Sequence, residues 1–473
     1  MTKAETAFLA LLRAALQGDT PVDPGLEPEE WQKLLRLSER HKLLPLILDA
    51  ACALPSCRAA LRQSLPPGGK VSRPEAVTDE GAERQAAVST NGSKCGEPPH
   101  PSSGFRETPE STFPSRGRRN GEYPDWKAAV LEQVSRQAIQ ENEFLNLILA
   151  LRERGLEPVV VKGAVCRALY PKPLLRPSVD DDLLIPPKQA PAFHAALLEL
   201  GLSADEPAAD PEKAWELSYH KPNSPLYIEL HKCLFDPDSE VFRSFNEPFD
   251  GALDRTVPVQ IQDVTLRTLA PTDHLLFLIL HAFKHFLHSG FGLRIVSDVC
   301  LYSRQHAEQI DFARIVAVCA ARRCDRFTAA LYRIGEKQLG IPAPAPFAAI
   351  ETDETALLED VLAAGLVGAE IDRLHSANIT LGAVSDQNTG RSSGGGLRKS
   401  LFPSAKQLVG RYPWLERRPW LLPAAWVSRV GSYLKQRERY GPQSPAASLR
   451  IGRERVKLLE SYGVIDGKTG KKE

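Results

Sequence analysis

The chain has 473 residues, 42% hydrophobic and 25% charged, with 59 basic against 59 acidic side chains and so a formal net charge of zero. Such a length buries a sizeable core without disulfide or metal staples and, at ~150 residues per domain, corresponds to about three domains or two plus linkers. The charge balance excludes a globally basic nucleic-acid coat and an acidic solvating tail, and no apolar run reaches the ~18 residues that read as a membrane span.

Arg13 interrupts the apolar start of the chain and no small-residue cleavage site follows cleanly, so no signal peptide is expected there. The eight cysteines form no CxxC pair and read as reduced thiols, which fits a cytoplasmic protein. Residues 4–17 and 28–53 carry helical periodicity. In the second stretch Trp31, Leu34, Leu35, Leu37, Leu43 and Leu44 recur at near-helical spacing, and Pro45 should end or kink the helix. Residues 65–123 are rich in Pro, Gly, Ser and charge and poor in large aliphatics. Such a stretch cannot repay its ordering entropy by burial and reads as a disordered insertion.

Asp125 to Arg154 is the clearest helix, closed by Gly155. Val159–Val161 is a β-branched strand, 163–170 a helix broken by Pro171 and Pro173, 180–185 a second strand, 188–200 a helix and 227–231 a third strand. Helices then return. Thr272 is positioned to cap a helix over 273–288, and further helices are expected around 293–304, 311–323, 326–339 and 355–367. The fold class is α+β, partitioned as a helical N-terminal region (1–64), the insertion (65–123), a sheet-containing core (124–265), a helical domain (266–375), a flexible loop containing SDQNTGRSSGGG (376–399) and a helical C-terminal region (400–473). Trp414, Trp420 and Trp426 in that last region read as core packing.

The sharpest chemical feature is Arg176-Pro-Ser-Val-Asp180-Asp181-Asp182-Leu-Leu-Ile185. Side chains alternate along a strand, so Asp180 and Asp182 share one face and Asp181 takes the other. Paired carboxylates on a strand repel unless a cation lies between them, and oxygen ligands of this kind suit Mg²⁺ or Mn²⁺. Upstream, Lys162-Gly163 turns a strand into a helix, where backbone N–H groups and an ammonium can approach a phosphate. Downstream, Tyr227, Glu229 and His231 share one strand face, and Glu229 could supply a third carboxylate. His281, His285 and His288 fall at i, i+4, i+7. HAFKH has metal-ligand spacing but lacks the general-base Glu of HExxH, so a zinc hydrolase is the weaker alternative to a structural or substrate-facing role, with Asp298 available to orient a ring. His220 and His231 are further candidates to line a cleft.

The ordered set VVVKG, LYPKPLLRPSVDDDLLI, YIELHKCLF, LLFLILHAFKHFL and LRIVSDVCL resembles the uncharacterised bacterial nucleotidyltransferase family of the DNA polymerase β superfamily. The Glu-Arg-His41-Lys segment and Leu401-Phe-Pro-Ser404 also look like that family. The resemblance implies a small polymerase-β-like mixed sheet embedded in helical N- and C-terminal regions. It implies Mg²⁺ or Mn²⁺ on Asp180, Asp182 and Glu229, an NTP co-substrate, and transfer of NMP to a hydroxyl acceptor with release of pyrophosphate. Carried over residue by residue, Asp180 and Asp182 are metal ligands and Glu229 a ligand or base. Gly163 lies at the phosphate-facing turn, and Lys162 and Arg176 are phosphate or structural contacts. The acceptor would be a peptide, protein or small molecule. A long nucleic acid is not expected, because phosphate contacts need a basic groove. Two departures stand out: Asp181 replaces a usually apolar residue, and Gly163-Ala164 replaces the Gly-Ser step of the wider superfamily. They leave open the alternative of a catalytically decayed fold that binds nucleotide or protein.

Overall fold

The structure, a computed structural model, describes residues 1–63, 125–364, 369–388, 412, 414–428 and 445–466. The expected insertion (65–123) and Leu401–Ser404 lie outside them. Four helices open the chain: α1 (Lys3–Gln17), α2 (Pro28–Arg40), α3 (Leu44–Ala51) and α4 (Pro55–Gln63). A capping box starts α1, Thr2 Oγ1 accepting from Glu5 N at 3.2 Å and Glu5 Oε2 from Thr2 N at 2.7 Å. The expected break near Pro45 occurs earlier, at residues 41–43, where Lys42 takes φ 55°. Pro45 sits instead in the first turn of α3, where its missing N–H costs nothing.

The long helix α5 (Trp126–Glu153) is capped by Asp125, which accepts from Ala128 N at 3.1 Å. Then follow β1 (Val159–Val161), α6 (Gly163–Arg167), β2 (Asp181–Leu184), α7 (Ala190–Glu199), β3 (Ser203–Ala204), β4 (Glu216–His220), β5 (Tyr227–His231), β6 (Thr256–Ile261) and β7 (Val264–Leu269). They build one seven-stranded sheet in the order β3-β4-β5-β2-β1-β7-β6. β2 pairs antiparallel with β1 and parallel with β5, and β1 pairs parallel with β7. The sheet is therefore mixed and the class is α+β, as the sequence indicates. The β6–β7 hairpin, β3 and β4 extend it beyond the three strands legible in the sequence. The helix expected over 163–170 is shorter, stopping at Arg167.

The helices after the sheet are α8 (Pro271–His288), α9 (Leu293–Gln305), α10 (Phe312–Ala321), α11 (Asp325–Leu339), α12 (Ala345–Ala348), α13 (Thr355–Ala364) and α14 (Ala369–Asn388), with a C-terminal helix Pro445–Ser461. α8 is buried along most of its length and packs against α9, α14 and β7. A helix apolar on nearly all sides has to be central. Phe235, Phe245, Phe283, Phe286 and Phe327 stack around it with ring centroids 4.6–5.8 Å apart. Thr272 does not cap it: α8 starts at Pro271 behind Ala270, and the Thr272 hydroxyl accepts from Asp311 N at 2.9 Å. The expected loop over 376–399 is helical as far as Asn388, because the chain there packs on α8 and the C-terminal helix. Trp420 is 72% exposed and Trp414 lies at the surface, so neither is the core residue its apolar character predicts, whereas Trp426 packs on the small cluster of Leu415 and Ala425. Among the described residues no single helix is long and apolar enough to cross a membrane.

Candidate functional site

Strand register places the acids. Asp182 on β2 lies opposite Val161 of β1 and beside Glu229 of β5, and His231 is two residues further along β5. Parallel neighbours in register present the same face, so Asp182, Glu229 and His231 converge there. One potential ligand atom from each lies within 4.8 Å of the other two. Asp182 Oδ1 is 3.1 Å from His231 Nε2, and Glu229 Oε2 is 3.6 Å from the same nitrogen. Glu216, opposite His231 on β4, lies 3.6 Å from its Nδ1.

The alternation expected for Asp181 and Asp182 is present, with opposite consequences. Asp181 is fully buried on the other face. It accepts a 2.9 Å hydrogen bond from Gln140 of α5 and lies 3.5 Å from Arg167, whose Nε donates to Glu141 at 2.9 Å. Burial raises its carboxyl pKa, and the Arg167 charge opposes the shift. Asp181 is thus a buried tie between α5, α6 and β2. Asp180 precedes β2, lines the cavity and is not one of the three converging groups.

Lys162 ends the run of β1 at φ 58°, a strained value for a non-glycine residue. Its Nζ forms a 2.9 Å ion pair with Asp182 Oδ2 and lies 3.4 Å from His281 Nε2. Burial alone would lower the lysine pKa, but Asp182, Asp180 and Glu229 outweigh it and hold the ammonium charged. Burial likewise opposes ionisation of Asp182, yet Lys162 and His231 keep its carboxyl well below the usual range. Glu229 moves upward, chiefly by burial and further by the neighbouring aspartates. His231 is raised despite its burial, by the carboxylates of Asp182, Glu229 and Glu216.

Gly163 follows at φ +34°, where any Cβ would collide with Asp181 Oδ1. The glycine is required by this close packing. Arg176 gives Nε and Nη2 to Asp298 of α9 at 2.8 and 2.6 Å, and Tyr170 donates to the same carboxylate at 2.8 Å. Asp298 therefore anchors Arg176 and does not orient a histidine, because the guanidinium fork is the better match for a carboxylate.

These groups border a cavity of about 410 Å³. Lys162, Gly163, Arg176, Asp180 and Glu229 line it, with His281, Lys284 and His285 from α8, Arg294 from α9, and Arg40, His41 and Lys42 from the N-terminal helices. His288 is buried outside this lining, while His220 pairs with Asp205 at 2.7 Å on β4. His281 and His285 face each other with their Nε2 atoms 3.2 Å apart. Among the described residues neither belongs to a group of three potential metal ligands, and the three-ligand group lies on the sheet. The sequence reading missed His231 as a member of that group, although Glu-Leu-His at i, i+2 was the signal. It also missed Arg40, Lys42, Lys284 and Arg294, whose convergence depends on long-range packing.

One comparison bears on this arrangement. Residues 121–339 match the family model described as uncharacterised nucleotidyltransferase. The matched segment runs from just before α5 to the end of α11 and so contains the whole sheet, Asp182, Glu229, His231 and α8. It leaves α1–α4 outside. No match is found among curated proteins or among solved structures. A nucleotidyltransferase takes an NTP and moves its NMP, usually with a divalent metal. The Asp182–Glu229–His231 group is compatible with one: Asp182 Oδ2 and His231 Nδ1 are buried and make no hydrogen bond, Oδ2 taking part in the Lys162 ion pair. Two carboxylates with an imidazole suit a hard or borderline cation such as Mn²⁺.

Proposed function

We propose that the chain is a metal-dependent nucleotidyltransferase that moves NMP from an NTP to a hydroxyl acceptor, a peptide, protein or small molecule, with release of pyrophosphate. The observation that carries this reading is the convergence of Asp182, Glu229 and His231 beside a cavity that Glu229 lines together with Lys162, Arg40, Lys42, Lys284 and Arg294. Mg²⁺ or Mn²⁺ would be held by Asp182 and Glu229, with Asp180 or His231 completing the set. When bound, the ion supplies charge neutralisation for the triphosphate and lowers the pKa of the acceptor hydroxyl. Glu229, whose carboxyl burial pushes upward, would take the acceptor proton. Lys162 supplies a fixed positive charge on the phosphate side, and Gly163 allows the β1–α6 turn to pack against Asp181. Arg176 borders the same space while fixed by Asp298. The near-zero net charge favours a small or peptide acceptor over a long nucleic acid, and the reaction would take place in the cytoplasm.

A second reading is a decayed fold that binds nucleotide without turnover. It is favoured by the Lys162–Asp182 ion pair, which already neutralises the carboxylate that a metal would need. Incubation with NTP labelled at the α- or the γ-phosphate separates the two. The transferase reading expects α-label in the acceptor and γ-label in pyrophosphate. Stoichiometric retention of intact NTP, with no label transferred in an acceptor-containing extract, would favour the decayed fold.

A further inference from the structure

Phosphate binding at the β1–α6 turn faces three obstacles. α6 has only five residues, so its dipole is small. Lys162 N already donates to His274 Nε2 at 3.3 Å. Ala164 follows Gly163, so the turn offers no hydroxyl there. A polyphosphate in this cavity therefore needs cations from elsewhere.

The rest of the cavity lining provides them. Arg40 comes from the end of α2, Lys42 from the turn between α2 and α3, Lys284 from α8 and Arg294 from α9. Arg176 adds a buried guanidinium whose Nη1 has no hydrogen-bond partner among the described residues. The turn that follows Arg40 and carries Lys42 is fixed by two features. His41 is buried, stacks on Phe8 with centroids 5.3 Å apart, and accepts a 3.1 Å hydrogen bond from Leu293 N at the start of α9. Gly292 makes this approach possible, because a Cβ there would lie 2.7 Å from His41 Nδ1. Lys42 itself takes the left-handed conformation, φ 55°, in which a lysine is held only by its surroundings.

We propose that the N-terminal helical region, which the family match does not cover, completes the nucleotide site: Arg40 and Lys42, together with Lys284 and Arg294, hold the polyphosphate of the NTP. Asp180, Glu216 and Glu229 enter the lining from the sheet and its approach, and Arg40, Lys42, Lys284 and Arg294 from helices and the α2–α3 turn, so the triphosphate lies between the metal-binding acids and these four cations. This rests on the transferase reading and adds to it the residues that select a polyphosphate independently of the base.

The test is metal-free titration of the full chain with ATP and with inorganic tripolyphosphate, for wild type, the Arg40→Gln/Lys42→Gln double variant and Asp182→Asn. Wild type is expected to bind both ligands in competition. The double variant should bind each about tenfold more weakly or worse, with a shallower salt dependence, since each lost contact is a charge-assisted bond to phosphate. Asp182→Asn should retain binding while losing pyrophosphate release. If the double variant binds as wild type does while Asp182→Asn still abolishes release, the inference fails and the transferase reading stands. If wild type binds ATP but not tripolyphosphate, recognition lies in the nucleoside and the inference fails. If wild type neither binds nor releases pyrophosphate, both fail. Lys42 is exposed, so Lys42→Glu alone carries the test should the double variant not fold, with the same weakening expected and unchanged binding contradicting it.

Discussion

Asp181 and Asp182 are consecutive carboxylates with opposite roles. Asp182 faces Lys162 and His231, and Asp181 faces Gln140 and Arg167 in a fully buried layer. Asp181→Asn should keep the Gln140 contact and leave the protein close to native stability with pyrophosphate release unchanged, as thermal melting and a release assay would show. Asp181→Ala is expected to cost about 2–4 kcal/mol, because it opens a void and leaves Arg167 with Glu141 alone. Gly163→Ala should cost about 2 kcal/mol or more, since the new methyl meets Asp181 Oδ1 at a positive φ. A melt within a degree or two of wild type would contradict that. The split between the two aspartates was legible in the sequence, because strand alternation alone separates them. The partners of Asp181 were not, since Gln140 and Arg167 reach it from other elements.

At the scale of elements, the approach to β2 is fixed by the Arg176–Asp298 pair, both partners almost fully buried, which ties the segment before β2 to α9. Breaking one side strands a buried charge, so Asp298→Asn is expected to cost about 3–5 kcal/mol and to lower turnover by displacing Asp180 and Asp182. Turnover and melting both at wild-type values would refute this role. The sequence made β1, β2, β5 and α8 readable, since each is a β-branched, alternating or apolar run of the right length. The β6–β7 hairpin escaped because β6 is half-exposed, with polar residues and Pro258 among its apolar ones, which is the pattern of an edge strand. Thr272 was misread as a cap because a hydroxyl near a helix start can serve a neighbouring helix instead.

Across the whole molecule, several histidines are buried in neutral form. His41 is held down to about 4 and His274 to about 3, in both cases mainly by desolvation. A histidine depressed on folding binds its proton more readily in the unfolded chain. Stability is therefore complete above about pH 6.5 and falls as pH drops toward the folded values, by on the order of 3 kcal/mol for His41 alone. Melting temperature should decline from pH 7 to pH 5, and His41→Gln should flatten that slope. An unchanged slope would show that His41 is not a source of it. The position of Arg40 and Lys42 in the cavity lining was invisible to periodicity, which marked Leu34, Leu35 and Leu37 as a packing face but could not bring these cations beside residues more than a hundred positions away in the chain.

The central claim is that the Asp182–Glu229–His231 group performs nucleotidyl transfer. Pyrophosphate release from each NTP, with Mg²⁺ or Mn²⁺ and an acceptor-containing extract, tests it most directly when wild type is set beside Asp182→Asn. The account predicts metal-dependent release by wild type that the substitution abolishes in protein that is still folded at the assay temperature. Release that persists in Asp182→Asn would contradict it and move the chemistry away from the sheet.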